Sequence, residues 1–492
     1  MSSESRYRQI LKTTTLFGGV QIVNMGTTII RAKFVAILIG PIGIGISSLF
    51  STTIALISSI AGMGLNYSAV RDIAKSNEDK AQLSKIVQIF KRLLWIGSLI
   101  GAIFIIIFAN ILSKTVFGNS DHKWSFILLS LMLVFNLFTN GNITILEATR
   151  SIKFTAKSTI LGSCLGLLTS IPLLYYFGIK GIVPSLIISS FTAYVISVYF
   201  IRKIQLQPVT ISTSETISKG TEMVKLGLMM VFSQIIGSAV IYIINIYIRH
   251  KGGLADIGLY QAATSITNQS IVLVFSAMTA DYYPRLAESI DNKVKSTELV
   301  NQQAIVTTII STPILISLIL FAPLFIKILL SNSFYSIIEV VRYLAFGSIF
   351  MAPLVVMGFI SLAKGDKKTF FLYGSLYNNV LALVLYTFGY MLYGLKGMSI
   401  GFVINQFLYF FIMRLKNYRT YSFKFGNEFD LIFMYCLMFA ILSLLNTFLF
   451  NGIIFYIIGV VILATSMYFS FLKIEKYMNI MEHIKSRIKF NK

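Results

Sequence analysis

The apolar positions of this chain fall into long runs, not one-sided stripes. Fourteen of them approach the about 20 residues that a helix needs to cross a bilayer core: 12–38, 41–66, 90–112, 124–146, 158–177, 181–201, 222–248, 256–280, 303–326, 336–361, 370–391, 397–415, 429–449 and 452–472. The connections between them are short, and the longest outer ones, Ser113 to Lys123 and Lys327 to Ser336, cannot hold a soluble catalytic domain. The pattern predicts an all-α integral membrane protein of about fourteen transmembrane helices. Arg6, Arg8 and Lys12 precede the first run, which is longer than the roughly 7 to 15 apolar residues of a signal peptide and lacks an A-x-A cleavage pattern. An uncleaved first span is therefore expected.

Composition agrees with the pattern. Of 492 residues, 56% are hydrophobic and 12% charged, with a mean hydropathy of +0.78. The net charge of +23 is spread among the loops and forms no single basic face, which argues against a nucleic-acid partner. Placing the N-terminus inside puts 32 of the 42 Lys and Arg residues in cytoplasmic loops and tails. The positive-inside rule then puts both termini in the cytoplasm. Cys164 and Cys436 lie in separate apolar runs, and His122, His250 and His483 in distant segments. Disulfide frameworks, metal clusters and Cys/His nucleophile pairs have no material here, so no metal, cofactor or catalytic residue is expected.

The sequence repeats itself. Gly178-Ile179-Lys180-Gly181-Ile182 returns as Gly394-Leu395-Lys396-Gly397-Met398, and the loop from Arg150 to Phe154 is echoed by Lys364 to Phe370. Arg71 is matched by Arg285 and Gly45 by Gly258, all at nearly one offset along the chain. Six spans per unit is even, so the units are parallel repeats, an arrangement that binds substrate at the repeat interface. The expected organisation is a six-helix lobe over 1–205, a cytoplasmic linker over 206–220, a second six-helix lobe over 221–418, two additional peripheral helices over 429–472 and a basic cytoplasmic tail over 473–492.

Several segments resemble one family: Leu16-Phe17-Gly18-Gly19-Val20-Gln21, Arg31-Ala32-Lys33-Phe34, Gly40-Pro41-Ile42-Gly43-Ile44-Gly45, and Leu146-Glu147-Ala148-Thr149-Arg150 with Lys153-Phe154. They are similar to the polysaccharide transport branch, the Wzx-like O-antigen translocases, of the multidrug/oligosaccharidyl-lipid/polysaccharide flippase superfamily. The resemblance implies two lobes around a central cavity in a bacterial inner membrane. It also implies transfer of an undecaprenyl-pyrophosphate-linked oligosaccharide, an O-antigen or related polysaccharide repeat unit, from the cytoplasmic to the periplasmic leaflet. The implied partners are that lipid-linked glycan, the bilayer, a polysaccharide polymerase and a chain-length regulator.

Two basic clusters could serve such cargo. Arg31 and Lys33 lie in the outer third of span one, and Arg249, His250 and Lys251 close span seven. A basic group at membrane depth costs about 2.5 to 3.5 kcal/mol unless it snorkels or faces a cavity. Snorkelling is one reading, and a shared pyrophosphate site built on guanidinium hydrogen bonds is the other. Span eight presents Gln261, Thr264, Ser265 and Asn268 on one helical face, and span two presents Ser48, Ser51, Thr52 and Ser59. Such stripes are either helix-helix contacts or a lining for sugar hydroxyls.

Carboxylates near the spans are few: Glu147, Asp256, Asp281 and Glu339. Glu147 with Arg150 and Glu339 with Arg342 have the spacing of local ion pairs. Either glutamate could instead couple transport to H+ or Na+. Prolines 172, 184, 313, 323 and 353 are expected to kink their helices. Two rival functions remain open. A cation-coupled multidrug exporter of the same fold would favour a buried carboxylate where span one offers Arg31 and Lys33, and a glycan polymerase or ligase would need a larger outer loop.

Overall fold

The computed structural model describes residues 3–76, 79–204, 206–207 and 209–478. Most of the basic tail expected over 473–492 lies outside them. The described residues form helices and no strand, in the order α1 (Ser3–Ala61), α2 (Leu65–Lys75), α3 (Lys80–Phe117), α4 (Lys123–Ala148), α5 (Ile152–Phe177), α6 (Ile182–Ile201), α7 (Thr213–Gly252) and α8 (Leu254–Ser289). There follow α9 (Lys293–Leu320), α10 (Ala322–Leu329), α11 (Ile338–Ser348), α12 (Met351–Ala363), α13 (Lys367–Thr369), α14 (Asn378–Tyr421), α15 (Asn427–Leu449) and α16 (Gly452–Met478). A π-helical stretch, Phe370–Tyr377, joins α13 to α14.

Nine helices among the described residues are long and apolar enough to cross a membrane. Three of them, Val23–Ala61, Ile152–Ile201 and Lys367–Tyr421, have 39, 50 and 55 residues, room for two crossings each. Adding the bent pair α11 and α12 and the apolar helix α8 gives the fourteen crossings expected from the sequence. The protein is a multi-pass, all-α membrane protein.

The long helices break where the sequence repeats. Gly40 in α1 has φ 60° and ψ −168°, and Gly253 between α7 and α8 has φ 93° and ψ −174°. The two are separated by the same offset as Gly45 and Gly258. Both are in the positive-φ region that only glycine enters without strain, and Pro41 after the first break has no N–H to lose at a helix start. Gly178 and Gly394 share a second positive-φ conformation, with φ of 53° and 59°. The repeat is thus a repeat of backbone turns. Of the five prolines expected to kink helices, Pro172 and Pro313 lie inside α5 and α9, whereas Pro184, Pro323 and Pro353 sit in the first turns of α6, α10 and α12, where the missing N–H costs little.

Span two ends earlier than its apolar run. Met63 (φ 47°) and Gly64 (φ 64°) turn the chain into α2, an amphipathic helix that the run concealed. Leu65, Ala69 and Ile73 of α2 are buried with Phe90 and Leu94 of α3, while Arg71 and Asp72 pair at 2.7 Å on its other face. Asp79 caps α3, accepting from the N–H groups of Ala81 and Gln82, a contact worth about 1 kcal/mol.

Contacts divide the chain into two compact units, Met1–Gln261 with Leu329–Ser333, and Ala262–Ile328 with Phe334–Lys492. In the first unit, α1 packs on α3, α4, α5, α6 and α7. The residues 213 to 220 of the expected linker are the first turns of α7, capped by Ser212. Helix α3 holds both parts: Arg92 donates to Ile211 O and to Thr216 Oγ1 in the first turn of α7, both at 2.9 Å, and Gln207 N donates to Ser84 Oγ at 2.9 Å. Helix α7 therefore packs with the first unit although its sequence opens the second repeat.

In the second unit α9 packs on α11, α12, α15 and α16. Asp366, which caps α13, accepts from Thr369 N and from the Tyr421 hydroxyl at 2.8 Å, and these bonds, that to the Thr369 backbone first, hold its carboxyl down to about 2. Asp366 therefore stays charged at neutral pH and ties the end of α14 to the start of α13.

A helix crossing of the first unit at backbone contact is built on repeat-related glycines. A Cβ on Gly45 would stand 2.0 Å from Leu254 O, and one on Gly258 would stand 1.8 Å from Pro41 O. Pro41 and Leu254 share the offset of Gly45 and Gly258, so each contact is the counterpart of the other. Gly45→Val or Gly258→Val is expected to cost about 1 to 3 kcal/mol or to abolish folding, because backbone cannot move aside as a side chain can. Gly358, with open space around it, serves as a control. Thermal unfolding in detergent should show a large fall for either valine variant and little change for Gly358→Ala.

Candidate functional site

Four helices of the first unit line an open cavity of about 380 Å³ whose wall mixes polar side chains with apolar ones such as Met132, Ile143 and Leu167. The first arm of α1 contributes Thr27, Thr28 and Arg31, and α4 contributes Asn136 and Thr139. Helix α5 adds Ser158, Thr159 and Ser163, and α6 adds Ser189 and Ser190. On each helix these residues recur at one, three, four or five positions, so each apolar span turns one short polar patch inward. Gly162, between Thr159 and Ser163, is also in the wall.

The hydroxyls are not equivalent to free donors. Thr28 donates to Asn24 O at 2.7 Å, Thr139 to Phe135 O at 2.8 Å, Thr159 to Thr155 O at 2.9 Å and Ser190 to Leu186 O at 2.9 Å. A hydroxyl whose proton is used on its own helix offers lone pairs, and therefore accepts from a ligand's O–H groups better than it stabilises an anion. Arg31 is the complement. It is the only charged residue in the cavity wall and, among the described residues, makes no hydrogen bond or ion pair. A guanidinium with five N–H donors inside a cavity lined by acceptors can bind an anion bearing hydroxyl-rich groups.

The other basic residues singled out in the sequence lie elsewhere. Lys33 Nζ donates to Leu330 O just beyond α10, and Arg249 Nη2 donates to Phe117 O, the last residue of α3, at 2.8 Å. Lys251 is exposed at the end of α7. Ser48 donates to Gln261 Oε1 at 3.2 Å, and Asn245 Nδ2 approaches Thr52 Oγ1 at 3.4 Å, so this part of the stripe joins helices. Ser51 is half-buried beside them. Thr264 and Ser265, half-buried, and Asn268, exposed, fall in the second unit, where Ser265 Oγ accepts from Gln269 Nε2 at 3.0 Å.

The two coupling candidates differ. Glu147 is exposed at the end of α4, and the ion pair expected with Arg150 does not form; Arg150 instead takes a left-handed turn with φ 54°. Glu339 pairs with Lys396 at 2.8 Å, not with Arg342. Arg342 Nε donates instead to Ile319 O at 3.2 Å. The two corrections have different causes: the left-handed turn at Arg150 ends the helical spacing that would have brought it to Glu147, and Glu339 finds Lys396 on another helix.

A family model described as "Polysaccharide biosynthesis protein" matches residues 34–339. The chain belongs to this family. Among curated relatives, the lipid III flippases of Escherichia coli (strain K12) and Shigella flexneri are each 19% identical over 395 residues, covering 79% of this chain and 93% of theirs. The lipid II flippase MurJ in an inward-closed conformation superposes with a TM-score of 0.69 at 14% identity, covering 94% of this chain and 99% of that one. An inward-facing multidrug resistance MATE family transporter of the MOP superfamily gives 0.66 at 16%, covering 82% and 94%. The family resemblance read in the sequence is borne out.

For this member of the polysaccharide biosynthesis family, sequence reading found Arg31 but missed the rest of its cavity. The signal was present. Asn136 and Thr139, and Ser158, Thr159, Gly162 and Ser163, form short polar faces of the kind recognised in spans two and eight. The depth of Arg31 and Arg249 alone did not reveal that one lies in a cavity and the other on a helix end.

The two arginines should respond oppositely to removal. Arg31→Leu deletes an unpaired charge at membrane depth and should raise the unfolding temperature, regaining part of the about 2.5 to 3.5 kcal/mol of its insertion cost. Arg249→Leu should lower it, since hydrogen bonds to charged groups are worth about 1.5 to 3 kcal/mol. Thermal unfolding of the two purified variants checks both signs, and a fall for Arg31→Leu would mean that it has a structural partner.

Proposed function

We propose that the protein is a flippase that carries an undecaprenyl-pyrophosphate-linked oligosaccharide, an O-antigen or related repeat unit, across a bacterial inner membrane by alternating access. The observation that carries the proposal is Arg31, a guanidinium that makes no hydrogen bond or ion pair among the described residues and faces a cavity partly lined by hydroxyls. A charge kept at membrane depth and facing a cavity is a candidate for binding an anion. The cavity, about 380 Å³, has room for a diphosphate and adjoining hydroxyls. Arg31 would hold the headgroup phosphates while the acceptor wall takes the first sugar hydroxyls and the polyprenyl tail remains in lipid.

The family and the flippase relatives support this reading. A multidrug exporter of the same fold is disfavoured by the same residue, because a cationic drug would meet a cation and no carboxylate in this cavity. The proposal includes coupling by H+ or Na+, for which Glu147, exposed and without the expected partner, is better placed than Glu339, held by Lys396.

Glycan export measured at equal protein abundance tests the assignment. Arg31→Ala should lower export roughly ten- to a hundredfold, the loss of one charged hydrogen bond or two at 1.4 kcal/mol per decade. Arg31→Lys should restore only part, since a point charge lacks the planar fork that grips phosphate. Glu147→Gln in the same assay should impair export if that carboxylate couples, and full export would exclude it. Wild-type export by Arg31→Ala would remove the headgroup site.

A further inference from the structure

Two charged contacts, at the helix ends that the Lys and Arg distribution assigns to the outside, mirror each other across the repeat. Lys33, on α1, donates to Leu330 O beyond the C-terminus of α10. Arg249, on α7, donates to Phe117 O at the C-terminus of α3. Phe117 and Leu330 are repeat equivalents, at the same offset that pairs Gly45 with Gly258. Each contact has a second strand: Ser331 Oγ donates to Ala36 O at 3.5 Å, and His250 Nε2 lies 3.1 Å from Thr115 O. Ala36 and Arg249 stand at that offset too. A span of the first repeat therefore holds a helix end of the second, and a span of the second holds a helix end of the first. The contacting residues, Leu330 and Ser331 included, all belong to the first unit.

The chemistry suits a contact that can be made and broken. A carbonyl at a helix C-terminus is the negative end of the helix dipole and attracts a cation, yet it is neutral and releases that cation more readily than a carboxylate would. Arg249 Nε is buried with no partner, so its guanidinium is not fully satisfied in this arrangement. A permanent cap would be expected to satisfy it, and a buried orphan donor calls for a functional explanation.

We propose that Lys33 and Arg249 are paired latches that hold the outer ends of these helices together and release when the protein opens outward. The proposal rests on the transport reading above, since a protein without alternating access has no use for a releasable contact. The two acceptor carbonyls are repeat equivalents while their donors are not: Ile246 stands at the offset of Lys33 and Ala36 at that of Arg249. The repeat thus arrives at the same kind of contact twice with different residues, and neither latch alone keeps the ends together.

Pulsed electron paramagnetic resonance on the full chain in nanodiscs tests this. Spin labels at Ser120 and Lys251 span the Arg249 latch, and labels at Ile37 and Ser333 span that of Lys33. Wild type should show mainly the short distance at both pairs. Lys33→Ala or Arg249→Ala should each raise the ratio of long to short distances about tenfold, and the double variant about a hundredfold, because contributions to one equilibrium add as free energies. Lys33→Arg and Arg249→Lys keep the donors, should stay near wild type, and serve if the alanine variants fold poorly. Unchanged distances in folded alanine variants would overturn the proposal and leave static helix caps. The distances are read without glycan, so normal export by Arg31→Ala would remove the headgroup site without touching the latches, and fixed distances would remove the latches without touching that site.

Discussion

A basic side chain carried into a bilayer costs about 2.5 to 3.5 kcal/mol even on the lenient insertion scales, and the first unit of this protein carries Arg31, Lys33 and Arg249 deep into or at the ends of its spans. Lys33 and Arg249 meet the cost with the carbonyls of Leu330 and Phe117 at helix ends. Arg31 has no such bond among the described residues and meets it only through a cavity. The distribution of polar residues on α1, α4, α5 and α6 follows from that difference. Each helix is apolar toward lipid or its neighbours and contributes a short hydroxyl or amide patch where Arg31 needs polarity.

The internal repeat supplies the geometry within which these charges are placed. Glycines at 40 and 253 break the helices alike, and glycines at 45 and 258 let two of the resulting arms cross at backbone contact. With the arms fixed at that crossing, Ser48 reaches Gln261, and the basic residues near the breaks reach carbonyls on the opposite repeat. The basic residues themselves do not repeat: at the same offset Arg31 falls on Ile244, Lys33 on Ile246 and Arg249 on Ala36. The proposed anion site therefore lies in one repeat, while the proposed latches draw on both.

Much of the fold was legible because it rests on long apolar runs and on turn residues, both of which are local. All fourteen crossings were readable, and Gly40-Pro41 and Gly394 marked real breaks. Helix α2 was not readable, because the apolar run continued through Leu65 and only the left-handed turn at Met63 and Gly64 separates the two helices. The site was half legible. The depth of Arg31 could be measured along the helix, but its environment depends on how α4, α5 and α6 pack, which is non-local information. The same limit explains Glu339: its partner Lys396 belongs to another helix far along the chain, invisible to any rule about helical spacing.

The central claim is that Arg31 makes this cavity an anion site, and ligand-induced stabilisation measures that without requiring transport. A ligand that binds only the folded protein raises its stability as RT ln(1 + [L]/Kd), about 2.7 kcal/mol at a hundredfold excess over Kd. Inorganic pyrophosphate titrated into the purified protein should raise the unfolding temperature of wild type and leave that of Arg31→Ala unchanged. An equal rise in both proteins, or none in either, would contradict the assignment.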